Sequence, residues 1–164
     1  MSARISFSKL FTYDVEDSSK RLPLSALADE SDHIYGLLEF EISGRVLPHM
    51  DFFGTDDVCF NTWIEELFRV ARTLARSDAC EYTFDEGEQG QPAFAFRRRG
   101  NLFDVSVVDS ELSGAPGDAS YQCISCTWPE FQLAVDAFAS RFHAALLEQC
   151  SLVAEAWWAA RAVA

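Results

Sequence analysis

Hydrophobic and polar positions alternate over several stretches of this chain and switch to helical spacing over two others. From Arg4 to Tyr13 the odd positions read Ile5, Phe7, Lys9, Phe11 and Tyr13, a period-two run with one polar interruption that predicts a half-buried strand. Asp14 to Leu27 reads as a loop with at most one helical turn, because its Asp and Ser side chains compete for local backbone hydrogen bonds. His33 to Ser43 predicts a second strand, with Ile34, Gly36, Leu38, Phe40 and Ile42 on one face and Tyr35, Leu37, Glu39 and Glu41 on the other. Ser43-Gly44 marks a turn, and Arg45 to Leu47 starts a short strand that Pro48 stops. Asp51 to Asp57 follows as a loop.

Helical spacing first governs Trp63, Leu67, Val70 and Leu74. Thr62 and Glu65 fit a capping box at its start, and the helix is expected to end near Ser77. Glu65 and Glu66 come early while Arg69, Arg72 and Arg76 come late, as the helix dipole favours. Cys80 to Ser110 then reads as an antiparallel meander, with Tyr82 and Phe84, Phe94 and Phe96, and Phe103, Val105 and Val107 on its three runs. Asp85 to Pro92 and Asp109 to Asp118 are loops, and Tyr121 to Thr127 is a further strand. Thr127 and Glu130, with Pro129 between, form a second capping box. The helix it opens carries the stripe Phe131, Val135, Phe138, Phe142 and Leu146. With no Gly or Pro after Pro129, that helix either continues or breaks near Cys150-Ser151, where Val153, Trp157, Ala160 and Val163 extend the stripe.

Strands that follow one another directly, interrupted by helices, predict an α+β fold in a single domain. The expected form is one antiparallel sheet of about six to seven strands, two main helices on one face and a C-terminal helical extension.

Composition adds a size and a charge. The 164 residues include fourteen Phe and four Trp, bulk enough for a core without a metal or disulfides. Five cysteines in irregular spacing form no disulfide framework. With no apolar leader and no run long enough to span a bilayer, the expected location is the cytoplasm, with no membrane partner. A net charge of −13 disfavours nonspecific nucleic-acid binding and favours a basic protein partner.

Candidate chemistry is sparse. Cys123 and Cys126 lie in a predicted strand at a separation that sends them to opposite faces, and His33, His49 and His143 share no ligand spacing. No catalytic residue, metal or cofactor is therefore expected, although a Cys–His pair stays open. Arg97, Arg98 and Arg99 are expected to pair with acids such as Glu81, Asp85 or Asp104. The carboxylates gather in loops: Asp51, Asp56 and Asp57, then Asp85, Glu86 and Glu88, then Asp109 and Glu111. These eight are the candidate partner contacts. Trp157 and Trp158 either dock back on the chain or offer an apolar surface to a partner or a second copy.

The segments IYGLLEFEISGRVLP, FNTWIEELF, YTFDEGEQGQPAFAFRRRGNLFDVSVVDS and WPEFQLAVDAFASRF resemble a family of small bacterial proteins. These are similar to the immunity proteins that neutralise cognate polymorphic or contact-dependent toxins. The resemblance runs from Arg4 to Leu147 and rests on Gly36, Gly44, Trp63, Glu86-Gly87, Phe94 to Arg97, Trp128 and Phe131. It implies a non-catalytic protein that occludes the active face of a toxin, a basic nuclease domain being one fitting kind. Two other readings stay open: a small ligand-binding domain or enzyme with a pocket between sheet and helices, and a structural homodimer through the C-terminal helix.

Overall fold

The computed structural model describes residues 2–51, 54, 56–87 and 90–162. Its class is α+β, as expected, but the strands divide into two antiparallel sheets where one was predicted. The first sheet runs β2 (Arg21–Pro23), β1 (Ala3–Tyr13), β3 (Tyr35–Ile42) and β4 (Arg45–Val46), with β5 (Val58–Cys59) also on β3. After α1 (Phe60–Ala75), the second sheet runs in chain order: β6 (Ala79–Phe84), β7 (Ala93–Arg99), β8 (Leu102–Val108) and β9 (Ile124–Thr127). Two helices close the chain, α2 (Trp128–Gln149) and α3 (Ser151–Ala162). β4 and β5 are two residues each and share the outer edge of β3, and β6 pairs with β7 instead.

One buried cluster serves both sheets. Phe131 of α2 stacks on Phe103 of the second sheet, with centroids 3.9 Å apart, and on Phe40 of the first at 6.1 Å. The strict alternation of β3 is reproduced in full: Gly36, Leu38, Phe40 and Ile42 are buried and the residues between them are not.

β1 departs from its predicted pattern. Lys9 takes a left-handed φ of 53°, and the register with β3 shifts between Ser8 and Phe11. Such a bulge reverses the faces of the strand beyond it. Ile5, Phe7 and Leu10 pack on the core, whereas Phe11 stacks on Tyr35 and Tyr13 meets it edge-on, on the opposite face. The predicted single face from Ile5 to Tyr13 is therefore two half-faces.

α1 begins two residues before the expected capping box, with no side-chain cap at all. A tertiary contact satisfies its first amide instead: Phe60 donates to the Ile34 carbonyl at 2.8 Å, while Asn61 Oδ1 accepts from the Ile34 amide at 2.9 Å. The capping box of α2 forms as predicted, with the Thr127 amide donating to Glu130 Oε2 at 2.9 Å. The chain breaks at Cys150 before α3. There the buried positions are Ala154, Trp157 and Arg161 rather than Val153, Trp157 and Ala160; Val163 lies outside the described residues. β9 is shorter than predicted because Cys123, at φ 52°, is not extended. Among the described residues no helix is long and apolar enough to cross a membrane.

Candidate binding surface

The three acidic loops, scattered in sequence, converge. Asp85 accepts hydrogen bonds from Ser110 Oγ at 2.7 Å, from the Glu111 amide at 2.9 Å and from the Leu112 amide at 3.3 Å. Gln91 Nε2 donates to the Asp51 carbonyl, and Ser113 Oγ donates to the Gln91 carbonyl at 2.7 Å. Asp85 and the buried Gln91 thus join Asp51, the two ends of the 85–92 loop and residues 110–113 into one surface. Gly87 enables the close approach: its φ is +69°, and an added Cβ would stand 2.5 Å from Leu112 Cβ.

The predicted contact residues divide by role. Asp85 is spent on the stitching. Burial works to raise its pKa, but the hydrogen bonds of Ser110, Leu112 and Glu111 together outweigh it and hold the carboxyl below its usual range. Asp109 Oδ1 accepts from the Gly117 amide at 2.7 Å, so it shapes its own loop. Asp57 is buried. Asp85 and Asp109 thus serve as loop supports, as carboxylates beside amide-rich turns do, although Asp109 stays exposed and Asp85 half-buried; Asp57 is the one of the three taken out of solvent. Asp51 and Glu86 are half-buried, Glu111 is exposed, and Glu88 lies outside the described residues. Asp56 pairs with Arg21 at 3.0 Å, which holds its carboxyl below the usual range.

That ion pair leads to a feature sequence reasoning missed. Beyond the Lys9 bulge, Phe11, Tyr13 and Tyr35 form a group with centroid separations of 5.0 to 5.8 Å, Phe11 stacked on Tyr35 and Tyr13 edge-on to both. The Arg21 guanidinium lies 4.2 Å above the Phe11 ring, and His33 Nδ1 is 3.2 Å from the Tyr35 hydroxyl. The adjoining β1–β2 turn adds Asp14, Glu16 and Asp17, with Val15 93% exposed at its tip. The one available signal was Lys9, whose break in the alternation marks the bulge.

The cations elsewhere are largely committed. Arg97 pairs with Glu81 at 2.8 Å and Arg99 with Asp104 at 2.7 Å, both expected partners; Arg98 takes Asp78 at 2.6 Å. Asp104 is fully buried, with Oδ1 unpartnered among the described residues.

Trp157 is fully buried and donates from Nε1 to the Asp32 carbonyl at 2.9 Å. Trp158 is half-buried and lies parallel to His143 with centroids 4.9 Å apart. Both dock on their own chain, so Trp157 is corrected from a contact to a core residue. All five thiols are unpaired; Cys123 is exposed, while burial, helped by Glu130, pushes the Cys126 thiol up to about 12. Among the described residues no group of three or more His, Cys, Asp or Glu is placed to hold a metal. Comparison with protein-family models, curated proteins and solved structures finds no match.

Proposed function

We propose that this chain is a non-catalytic protein that masks a basic surface of another protein, in the manner of immunity proteins that neutralise bacterial toxins. The observation that carries this reading is the convergence of the three acidic loops through Asp85 and Gln91, continued by Asp56 and Arg21 into the Phe11–Tyr13–Tyr35 group. The two parts do different work. Excess negative charge accelerates encounter with a basic partner and sets its orientation. Tyr and Arg side chains held by neighbouring rings provide contacts of the kind that dominate binding energy. Occlusion then needs only that the partner's substrate-binding face, basic in a nuclease, be the surface covered. In this reading the protein acts in the cytoplasm with its thiols reduced.

The test is co-expression with the product of the adjacent open reading frame. Copurification and rescued growth support the reading. Charge reversal at Asp51, Asp56, Glu86 and Glu111 is expected to slow association and flatten its salt dependence. Rescue and affinity that survive all four reversals would place the contact elsewhere.

A further inference from the structure

β1 is paired on both sides for only part of its length. Its ladder with β3 covers Ala3 to Ser8 and resumes at Phe11, whereas β2 covers the other edge only from Phe11 to Tyr13. Ala3 to Ser8 therefore has one edge that no strand of the described residues occupies. The groups on that edge follow from the register. The Ser43 amide donates to the Ser2 carbonyl, so Ser2, Arg4, Ser6 and Ser8 turn their backbone groups toward β3. Ala3, Ile5 and Phe7 turn theirs outward. One of these is taken by a side chain: Arg141 Nη2 of α2 donates to the Ile5 carbonyl at 2.6 Å.

A groove of about 340 Å³ lies beside this edge, lined by Ser2 to Ile5 and, on α2, by Glu130, Leu133, Ala134, Ala137 and Arg141. One wall thus offers backbone donors and acceptors, and the other is apolar; Leu133 is 70% exposed on it. Glu130 is engaged in the capping box, and Arg4 pairs with Glu41 at 2.8 Å. Arg141 is exposed and, among the described residues, holds only a carbonyl.

We propose that this groove is a strand-addition site for an extended peptide that carries an Asp or Glu side chain. Outward groups on every second residue match the repeat of an extended chain, and open edges are templates for such pairing. Alternate apolar side chains of the peptide pack on Leu133, Ala134 and Ala137. The incoming strand takes over the Ile5 carbonyl, and the released Arg141 guanidinium closes on the peptide carboxylate in a two-pronged contact. A lone guanidinium in a chain of net charge −13 selects that carboxylate locally, against the charge of the whole. The site is separate from the acidic loops and does not depend on the basic-partner reading.

The test uses the capped peptide VTETVTV, whose Glu shares a face with its Val residues, its Gln counterpart VTQTVTV and a fully N-methylated copy that has no N–H to donate. Peptide addition is expected to slow amide exchange at Ala3, Ile5 and Phe7 by about tenfold or more, and to leave Arg4, Ser6 and Ser8 unchanged. Arg141→Gln is expected to weaken VTETVTV about tenfold and VTQTVTV hardly at all, with Arg141→Lys between them. Failure to protect those three amides, or equal protection by the methylated copy, overturns strand addition. Equal loss of both peptides in Arg141→Gln overturns the carboxylate preference. Protection that instead grows with protein concentration, without peptide and with a doubled sedimentation mass, gives the edge to a second copy and overturns the peptide site.

Discussion

Asp85 and Ser110 meet through a 2.7 Å hydrogen bond although 25 positions separate them in the chain. With the Glu111 and Leu112 amides on the same carboxylate, this contact fixes one acidic loop against another. Because the folded-state pKa of Asp85 lies below that of the unfolded chain, its contribution is fully present above about pH 4 and is lost as pH falls through the folded value. Asp85→Asn is expected to cost about 1 kcal/mol at neutral pH, solvent screening keeping the figure small. The difference in urea midpoint from the parent protein should shrink below about pH 4. A difference constant across that range would remove the ionised carboxylate from the account.

Gly36 sits where β3 passes under the β1 bulge. An added Cβ would stand 2.8 Å from the Ser8 carbonyl oxygen and 3.1 Å from both Leu10 and Phe60. The carbonyl belongs to the β1–β3 ladder and has little room to give. Gly36→Ala is expected to lower stability by about 1–3 kcal/mol, read as a fall in thermal midpoint. An unchanged midpoint would mean that β1 and β3 slide past one another freely.

α3 hangs on Trp157. Its ring is fully buried, its Nε1 serves the Asp32 carbonyl, and the Arg161 guanidinium lies 3.9 Å above it. Trp157→Ala should cost about 3–5 kcal/mol, and Trp158→Ala distinctly less because that ring is half-exposed. Removing residues 151–164 should destabilise the fold without changing solution mass. A halved mass would instead restore the C-terminal helix as a dimer contact.

The thiols should separate kinetically. Burial raises the Cys59, Cys126 and Cys150 thiols, whereas Cys123 is exposed. At about pH 8 a disulfide reagent is expected to modify Cys123 in the native protein and those three only on unfolding. Fast native modification of Cys126 would show that β9 opens readily from the sheet.

Periodicity alone predicts β3 and α2 because each carries its signal within a few residues. Gly36 to Ile42 alternate without a break, and the Thr127–Glu130 box closes on atoms three positions apart. The pairing of Arg97 and Arg99 was legible for a similar reason: neighbouring strands of a meander bring Glu81 and Asp104 directly opposite Arg97. α1 marks the limit of such local signals. Its capping box was present in sequence but unused, since the helix starts earlier, at Phe60, whose amide donates to the carbonyl of Ile34 just before β3.

What the amino-acid order determined by itself is the α+β class, the positions of the main elements and an excess of loop acids. The tertiary structure decided which of those acids face outward, because only the folding of the meander brings Asp85 to Ser110 and Gln91 to Asp51. It also decided that Tyr13 and Tyr35 share a face, because one left-handed residue at Lys9 inverts every side chain beyond it. Short-range periodicity fixes which residues are apolar neighbours; register and loop closure, which depend on partners tens of positions away, fix what those neighbours touch.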